Sequence, residues 1–368
     1  MGKNARAIDK IFLILMIFVF GMGLFTFISA SLSIYAESQS LFYNVLLRQI
    51  GLGIICGGVV AYLLSYVHYS HYRKYAWIAF IVAILLTCLV WVPGLGMSHA
   101  GATRWITLGF ISFQPSEILK LASVLFFAAY LSYFKKEELL DPKCGLFWFV
   151  GISALVSIVL YIQPDADTML VIVTTLFCMY FIGGASWRDI FILILIGLAG
   201  VAMVAFTKPH VKDRIVSFMN PSEDLLGAGY QANQARLAIG SGQFWGRGYG
   251  QGIQKYGVFL PEPVGDSVFA TFAEEHGFFG VVLFLTLLFL LIWRGIYLSA
   301  RTDRFGRLLG FGIMSIIAIT SLVNIGAIGG VIPLAGLALP FMSHGGTALF
   351  ILMVSMGIML NISRHRVV

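Results

Sequence analysis

Residues 11–34 read IFLILMIFVFGMGLFTFISASLSI, a run without one charged side chain. About 20 apolar residues make a helix long enough to cross the hydrocarbon core of a bilayer. The run therefore predicts a membrane-spanning helix. It follows a basic start (Lys3, Arg6, Lys10), is longer than a signal-peptide core and lacks a small-residue cleavage site. These features predict a retained helix rather than a removed leader.

The whole chain carries the same message. Of 368 residues, 59% are hydrophobic and only 11% charged, and mean hydropathy is +0.91. A soluble domain carries about 25% charged residues, so this chain could not dress a water-facing surface. Further apolar runs fall at Leu46–Val67, Trp77–Val92, Ile118–Phe134, Leu146–Ile162, Met169–Ile182, Ile190–Phe206, Gly277–Ile292, Leu308–Ile328 and Ala348–Leu360. They are continuous rather than alternating, which predicts helices, because backbone polar groups in lipid must be satisfied within their own segment. The expected fold is an all-α polytopic membrane protein of about ten transmembrane helices, one membrane domain over 1–368.

Orientation follows from Lys and Arg in the short loops. With the N-terminus in the cytoplasm, the cytoplasmic segments hold 15 of the 24 cations and the short outer loops two, Arg48 and Arg104. Lys120 lies inside a span and the other six lie in one long loop, residues 207–268. Both termini are expected to be cytoplasmic and 207–268 to form a large extracytoplasmic loop. The net charge of +7 is then mostly positive-inside bias, and no nucleic acid is called for. Cys56, Cys88, Cys178 and Cys144 fall in spans or at a cytoplasmic edge, so no exported disulfide is available and buried, inert thiols are expected. Loops as long as 207–268 are often functional.

Several polar groupings stand out against this background. Arg104-Trp105 precede Gln114-Pro115-Ser116-Glu117-Ile118-Leu119-Lys120, with Glu117 and Lys120 three apart on one face of the fourth span. A structural pair and a functional pocket both fit, since ionisable residues in membranes usually face a cavity. Gln163-Pro164-Asp165-Ala166-Asp167-Thr168 reads first as a turn with helix-capping aspartates. The glycine run 240–250 lacks the preceding strand of a nucleotide fingerprint, but backbone amides around Arg247 and Lys255 could cradle a phosphate. Pro333, Pro340, Ser343, His344, Gly345 and Gly346 break the last apolar stretch, and irregular backbone at that depth must face protein or a water-filled cavity.

The charge is most concentrated at 260–277, LPEPVGDSVFATFAEEHG, which holds Glu262, Asp266, Glu274 and Glu275 out of 17 acids. One reading places Glu274 and Glu275 in the first turn of the eighth span, near its positive dipole end, with Asp266 as N-cap and Glu262 solvated. The other is a carboxylate partly desolvated at the membrane boundary, its pKa raised for taking a proton.

These stretches resemble the SEDS family (shape, elongation, division and sporulation), whose best-known members are FtsW and RodA. The resemblance runs through the chain. It rests on RW and FQPSEILKL within 104–121, QPD at 163–165, YQANQARLAIGSGQFWGRGYG at 230–250, LPE with a later Asp at 260–266, and AEEHG at 273–277. NIG, PLAGLALPFMSHGG and NISRH complete it near the end. LPFMSHGG and NISR look more like the division branch (FtsW) than the elongation branch (RodA). The resemblance implies a glycosyltransferase of the bacterial cytoplasmic membrane that polymerises lipid II into peptidoglycan strands with a class B penicillin-binding protein.

By the same resemblance Asp266 matches the outer-loop aspartate regarded as essential and assigned to catalysis, and Glu262 the acid four residues before it. Arg104, Glu117 and Lys120 match residues regarded as lining a central cavity; Glu274 and Glu275 match the acids opening the eighth span. Asp165, Arg247, Ser343 and His344 fall inside the shared motifs and join the substrate-binding candidates. The chain departs from the common pattern at Val264, Gly265 and Ser267, at Ala166-Asp167 in place of Leu-Gly, and at His344 in place of Tyr. A divalent cation, magnesium or manganese, would assist the diphosphate, but nothing in the sequence defines a metal site. A lipid II flippase or a non-catalytic scaffold of the division machinery are the rival classes; polymerisation needs Asp266 and translocation does not.

Overall fold

The computed structural model describes residues 7–99, 102–108, 111–135, 137–220, 228–256 and 259–366. Its spans are α1 (Lys10–Glu37), α2 (Gln39–Leu64), α3 (Ser70–Trp91), α4 (Pro115–Tyr133), α5 (Leu146–Ile162), α6 (Ala166–Gly183), α7 (Trp187–Thr207), α10 (Val268–Ala300), α11 (Arg304–Ile328) and α12 (Gly346–Arg364). Among the described residues nine of these are long and apolar enough to cross a membrane, and α5 is a shorter apolar helix of 17 residues. Each of the ten expected spans coincides with one of them. Two short helices, α8 (Pro209–Met219) and α9 (Ala228–Ser241), lie within 207–268; residues 221–227 and 257–258 of that stretch lie outside the described residues, as do Lys3, Arg6 and Lys136 of the charge count.

Polarity runs inside out relative to a soluble protein. Large apolar side chains face outward (Phe18 58% exposed, Phe191 64%), whereas Gln49, Lys120, Lys255, Glu274, Glu275, Asn324 and Asn361 are buried. A lipid-facing surface has to be apolar, and polar groups must find partners within the bundle. The expectation of buried thiols fails on the same ground: Cys56 is exposed and Cys88, Cys144 and Cys178 are only partly covered.

Two helix starts differ from expectation. α2 begins at Gln39 rather than near Leu46 and carries a widened π segment over Arg48–Cys56. Gln39, Ser40 and Asn44 interrupt the apolar run before Leu46, and inside the helix Gln49 is internal: its amide donates to Ser343 O (3.2 Å) and accepts from Gly345 N (3.0 Å). α10 begins at Val268 rather than Gly277, so Glu274 and Glu275 lie in its second turn, and Ser267 holds the N-cap position expected for Asp266.

One element breaks the helical pattern. Antiparallel strands β1 (Gly96–His99), β2 (Ala102–Leu108) and β3 (Ile111–Phe113) form a small sheet before α4 and carry Arg104 on the central strand. At the opposite end Asp9 caps α1, accepting from Phe12 N, and pairs with Arg294 (2.8 Å) and Arg366 (2.6 Å). Its own N–H donates to Ser363 Oγ. Both ends of the chain therefore share one face. Asp266 precedes the first residue of the 33-residue α10 and Arg294 lies near its last, which separates them by most of a bilayer. The cation asymmetry makes the Asp9 face cytoplasmic.

Candidate active site

Asp266 stands on a turn clamped through its backbone. Gly265 N and Ser267 N both donate to Glu262 O. Asn324 of α11 donates to the carbonyls of Asp266 (2.9 Å) and Leu337 (2.7 Å). Ser343 Oγ donates to Gly265 O (2.8 Å) and accepts from Leu339 N (2.7 Å). His344 N donates to Val264 O, and Gln231 of α9 donates to Ser267 Oγ. Asn324, Ser343 and His344 thus fix the turn and leave the carboxylate of Asp266 outside every ion pair among the described residues.

Its surroundings raise the Asp266 pKa to about 6. Desolvation is the largest cause, followed by the negative charges of Glu262 and Asp167; Arg214 and Arg104 pull the other way. Glu262 is exposed and sits at φ +49°, a conformation uncommon for a residue with a Cβ.

The QPD turn supports this region. Asp165 caps α6, as expected, accepting from Thr168 N, and also accepts from Ser116 Oγ (3.0 Å) and Gln114 Nε2 (3.3 Å). Arg104 donates to Pro164 O and lies 3.9 Å from Asp165. Asp167 takes no part in the cap. Its carboxylate pairs with Arg214 of α8 (2.9 Å) and accepts from Gly336 N (3.1 Å).

Glu117 and Lys120 form a 2.8 Å pair on α4. They line a cavity of about 60 Å³ with Thr320, Leu339, Ser343 and Ser355, and the Thr320 hydroxyl is buried there without a partner among the described residues. Ser343 therefore touches both this chamber and the Asp266 turn. Lys120→Ala should leave Glu117 unpaired in a largely buried place, and breaking such a pair costs about 3–5 kcal/mol. Folding yield and activity should both fall, whereas Glu117→Gln with Lys120→Met should recover yield alone. Recovery of polymerisation as well would make the pair purely structural.

Arg247, Glu274 and Glu275 gather elsewhere. Glu274 accepts from Ile253 N (2.9 Å) and Gln254 N (3.2 Å) and pairs with Arg247 (3.3 Å). Glu275 takes Lys255 Nζ and Ser29 Oγ, each at 2.6 Å, and both ions of that pair are fully enclosed. Helix α10 is broken at Gly277 (φ 62°, ψ −164°), and the glycine run is spliced into the gap. Arg247 N and Gly248 N donate to the carbonyls of Glu274 and Glu275, and Phe278 N and Phe279 N donate to those of Gln243 and Phe244. A Cβ at Gly246 (φ +80°) would stand 2.1 Å from Glu275 O. The expected phosphate cradle does not form, because those amides and Lys255 are already bonded within the protein. His344 stacks on Phe27, and its Nε2 is buried without a partner among the described residues.

Sequence reading missed Arg214, Asp167 and Asn324 as neighbours of Asp266. Arg214 was one of six loop cations, Asp167 read as a cap, and Asn324 appeared only within a motif.

Fold and site together define a multi-pass membrane protein with a carboxylate-rich site at the outer end of its bundle. A family model described as "Cell cycle protein", covering FtsW, RodA and SpoVE, matches residues 9–367. Stage V sporulation protein E of Bacillus subtilis is 36% identical over 364 residues, 97% of each chain. Peptidoglycan glycosyltransferase MrdB of Escherichia coli K12 is 34% identical over 325 residues, 86% of this chain and 84% of that one. A solved peptidoglycan synthase complex, described as coordinating polymerization and crosslinking, contains a chain that superposes with a TM-score of 0.77 at 27% identity, covering 98% of both. RodA of Thermus thermophilus superposes at 0.66 with 26% identity, again over 98% of both. The chain belongs to the FtsW/RodA/SpoVE family, the SEDS proteins.

Proposed function

We propose that this chain is a peptidoglycan glycosyltransferase that polymerises lipid II at the outer face of the cytoplasmic membrane, with Asp266 as general base. The observation that carries the assignment is a carboxylate held rigidly by its backbone, outside any ion pair, and tuned to about 6. A hydroxyl of one lipid-linked sugar attacks the anomeric carbon of another. The new glycosidic bond forms as the bond to the diphosphate breaks; the electron pair leaves with the diphosphate and the proton passes to Asp266. Arg104 and Lys120 are the proposed cationic contacts, with Glu262, Glu117 and Asp165 positioning groups around them. Ser343 and His344 support the turn, and Arg247, Glu274 and Glu275 support the loop that leads to it. Among the described residues no three His, Cys, Asp or Glu side chains gather as a ligand set. The relatives named as peptidoglycan glycosyltransferases support the reaction, and the synthase complex supports a class B penicillin-binding protein as partner.

Reconstitution with labelled lipid II, with and without a candidate transpeptidase, tests the reading by glycan chain length. Translocation of lipid II without polymer would favour a flippase. A base works only when deprotonated, so kcat/KM should fall as pH drops through about 6 and level off about a unit above. A rate flat across that range would remove Asp266 from the role.

A further inference from the structure

The two aspartates of the QPDADT turn do different work. Asp165 is fully occupied as cap and tether. Asp167 receives Arg214 Nη1 on both oxygens (2.9 and 3.2 Å) and the Gly336 N–H at 3.1 Å. A guanidinium and a backbone amide converging on a carboxylate also form the donor set that recognises phosphate oxygens. This place adjoins Asp266. A Cβ added at Gly336 would lie 3.3 Å from Asp167 Oδ2, 3.4 Å from Arg214 Nη2 and 3.4 Å from Asp266 Oδ2. Glycine at 336 keeps that point open. Arg214 retains 30% exposure, so an incoming anion can reach it.

We propose, building on the glycosyltransferase reading, that Arg214 and the Gly336 amide form a diphosphate subsite for the polyprenyl-linked substrate, and that Asp167 occupies it as an internal stand-in until substrate displaces it. Asp167 keeps the guanidinium oriented while the site is empty and prevents a lone cation from collapsing onto Asp266. Its cost is affinity, because substrate must first break the Asp167–Arg214 pair. Once bound, the diphosphate places the charge developing on the leaving group against Arg214, while Asp266 faces the attacking hydroxyl.

The test uses the full chain in nanodiscs and measures binding of undecaprenyl diphosphate, alongside KM for lipid II. Asp167→Asn should bind undecaprenyl diphosphate about tenfold more tightly and lower KM similarly, the size of one charge-assisted hydrogen bond. Arg214→Gln should weaken binding about ten- to a hundredfold, with Arg214→Lys between. Phosphatidylglycerol added to the discs should compete poorly; competition equal to that of undecaprenyl diphosphate would overturn the assignment to substrate. Unchanged binding in Asp167→Asn overturns the proposal even where Arg214→Gln does not fold, and leaves the pair a structural tie. Absence of polymerisation by the wild type, with the binding shifts intact, would sink the reaction and not the subsite.

Discussion

Asp266→Asn is expected to lower glycan polymerisation by about 10²–10⁴-fold, the usual effect of removing a general base. The amide keeps the shape of the side chain but cannot accept a proton at neutral pH. Folding should not suffer, because the turn is held through its carbonyls by Asn324 and Ser343. Removing a desolvated charge close to Glu262 and Asp167 should leave thermal stability equal to wild type or slightly higher. Glu262→Gln should cost less, since that side chain is exposed and acts on Asp266 through its charge. Initial rates on labelled lipid II, measured beside thermal unfolding in the same nanodiscs, separate chemistry from folding. Near-normal synthesis by Asp266→Asn would end the catalytic assignment.

Lys255→Ala should be the most damaging single change to the fold. Lys255 donates to Glu275, to the Ser29 hydroxyl and to the Ser29 carbonyl, and neither ion of the pair touches solvent. Its loss leaves a buried carboxylate without its counter-ion, still bonded to the Ser29 hydroxyl, and takes the lysine donor from the Ser29 carbonyl. Removing one member of a buried pair typically costs about 3–5 kcal/mol, enough to remove much of the stability of an ordinary domain. Replacing both ions, Lys255→Met with Glu275→Leu, should recover most of it, because well-packed apolar groups often replace a buried pair without loss. A Lys255→Ala protein with unchanged unfolding temperature would show that water or a rearranged side chain serves Glu275.

The ten spans were legible because lipid imposes one simple demand, a continuous apolar run, and every such run became a helix. Their ends were less legible where a polar residue lies inside the bundle. The acids Glu274 and Glu275 look like a boundary along the chain, yet both are satisfied inside the protein, Glu274 by Arg247 and the amides of Ile253 and Gln254, Glu275 by Lys255 and Ser29. The strands around Arg104 were hidden because segments of four, seven and three residues show too little alternation to stand out. Asp266 was visible as one acid among few, and the resemblance gave it a role. Arg214 was not, since the carboxylate that defines its function lies 47 positions earlier. Local pattern cannot report that kind of proximity.

The Asp9 cluster has a consequence for how the molecule is made. Asp9 lies near the start of the described residues, and two of its partners, Ser363 and Arg366, are made long after it. A third, Arg294, emerges in between. The clasp therefore forms only after α12 has been made, and a product truncated before Ser363 leaves Asp9 without both Ser363 and Arg366.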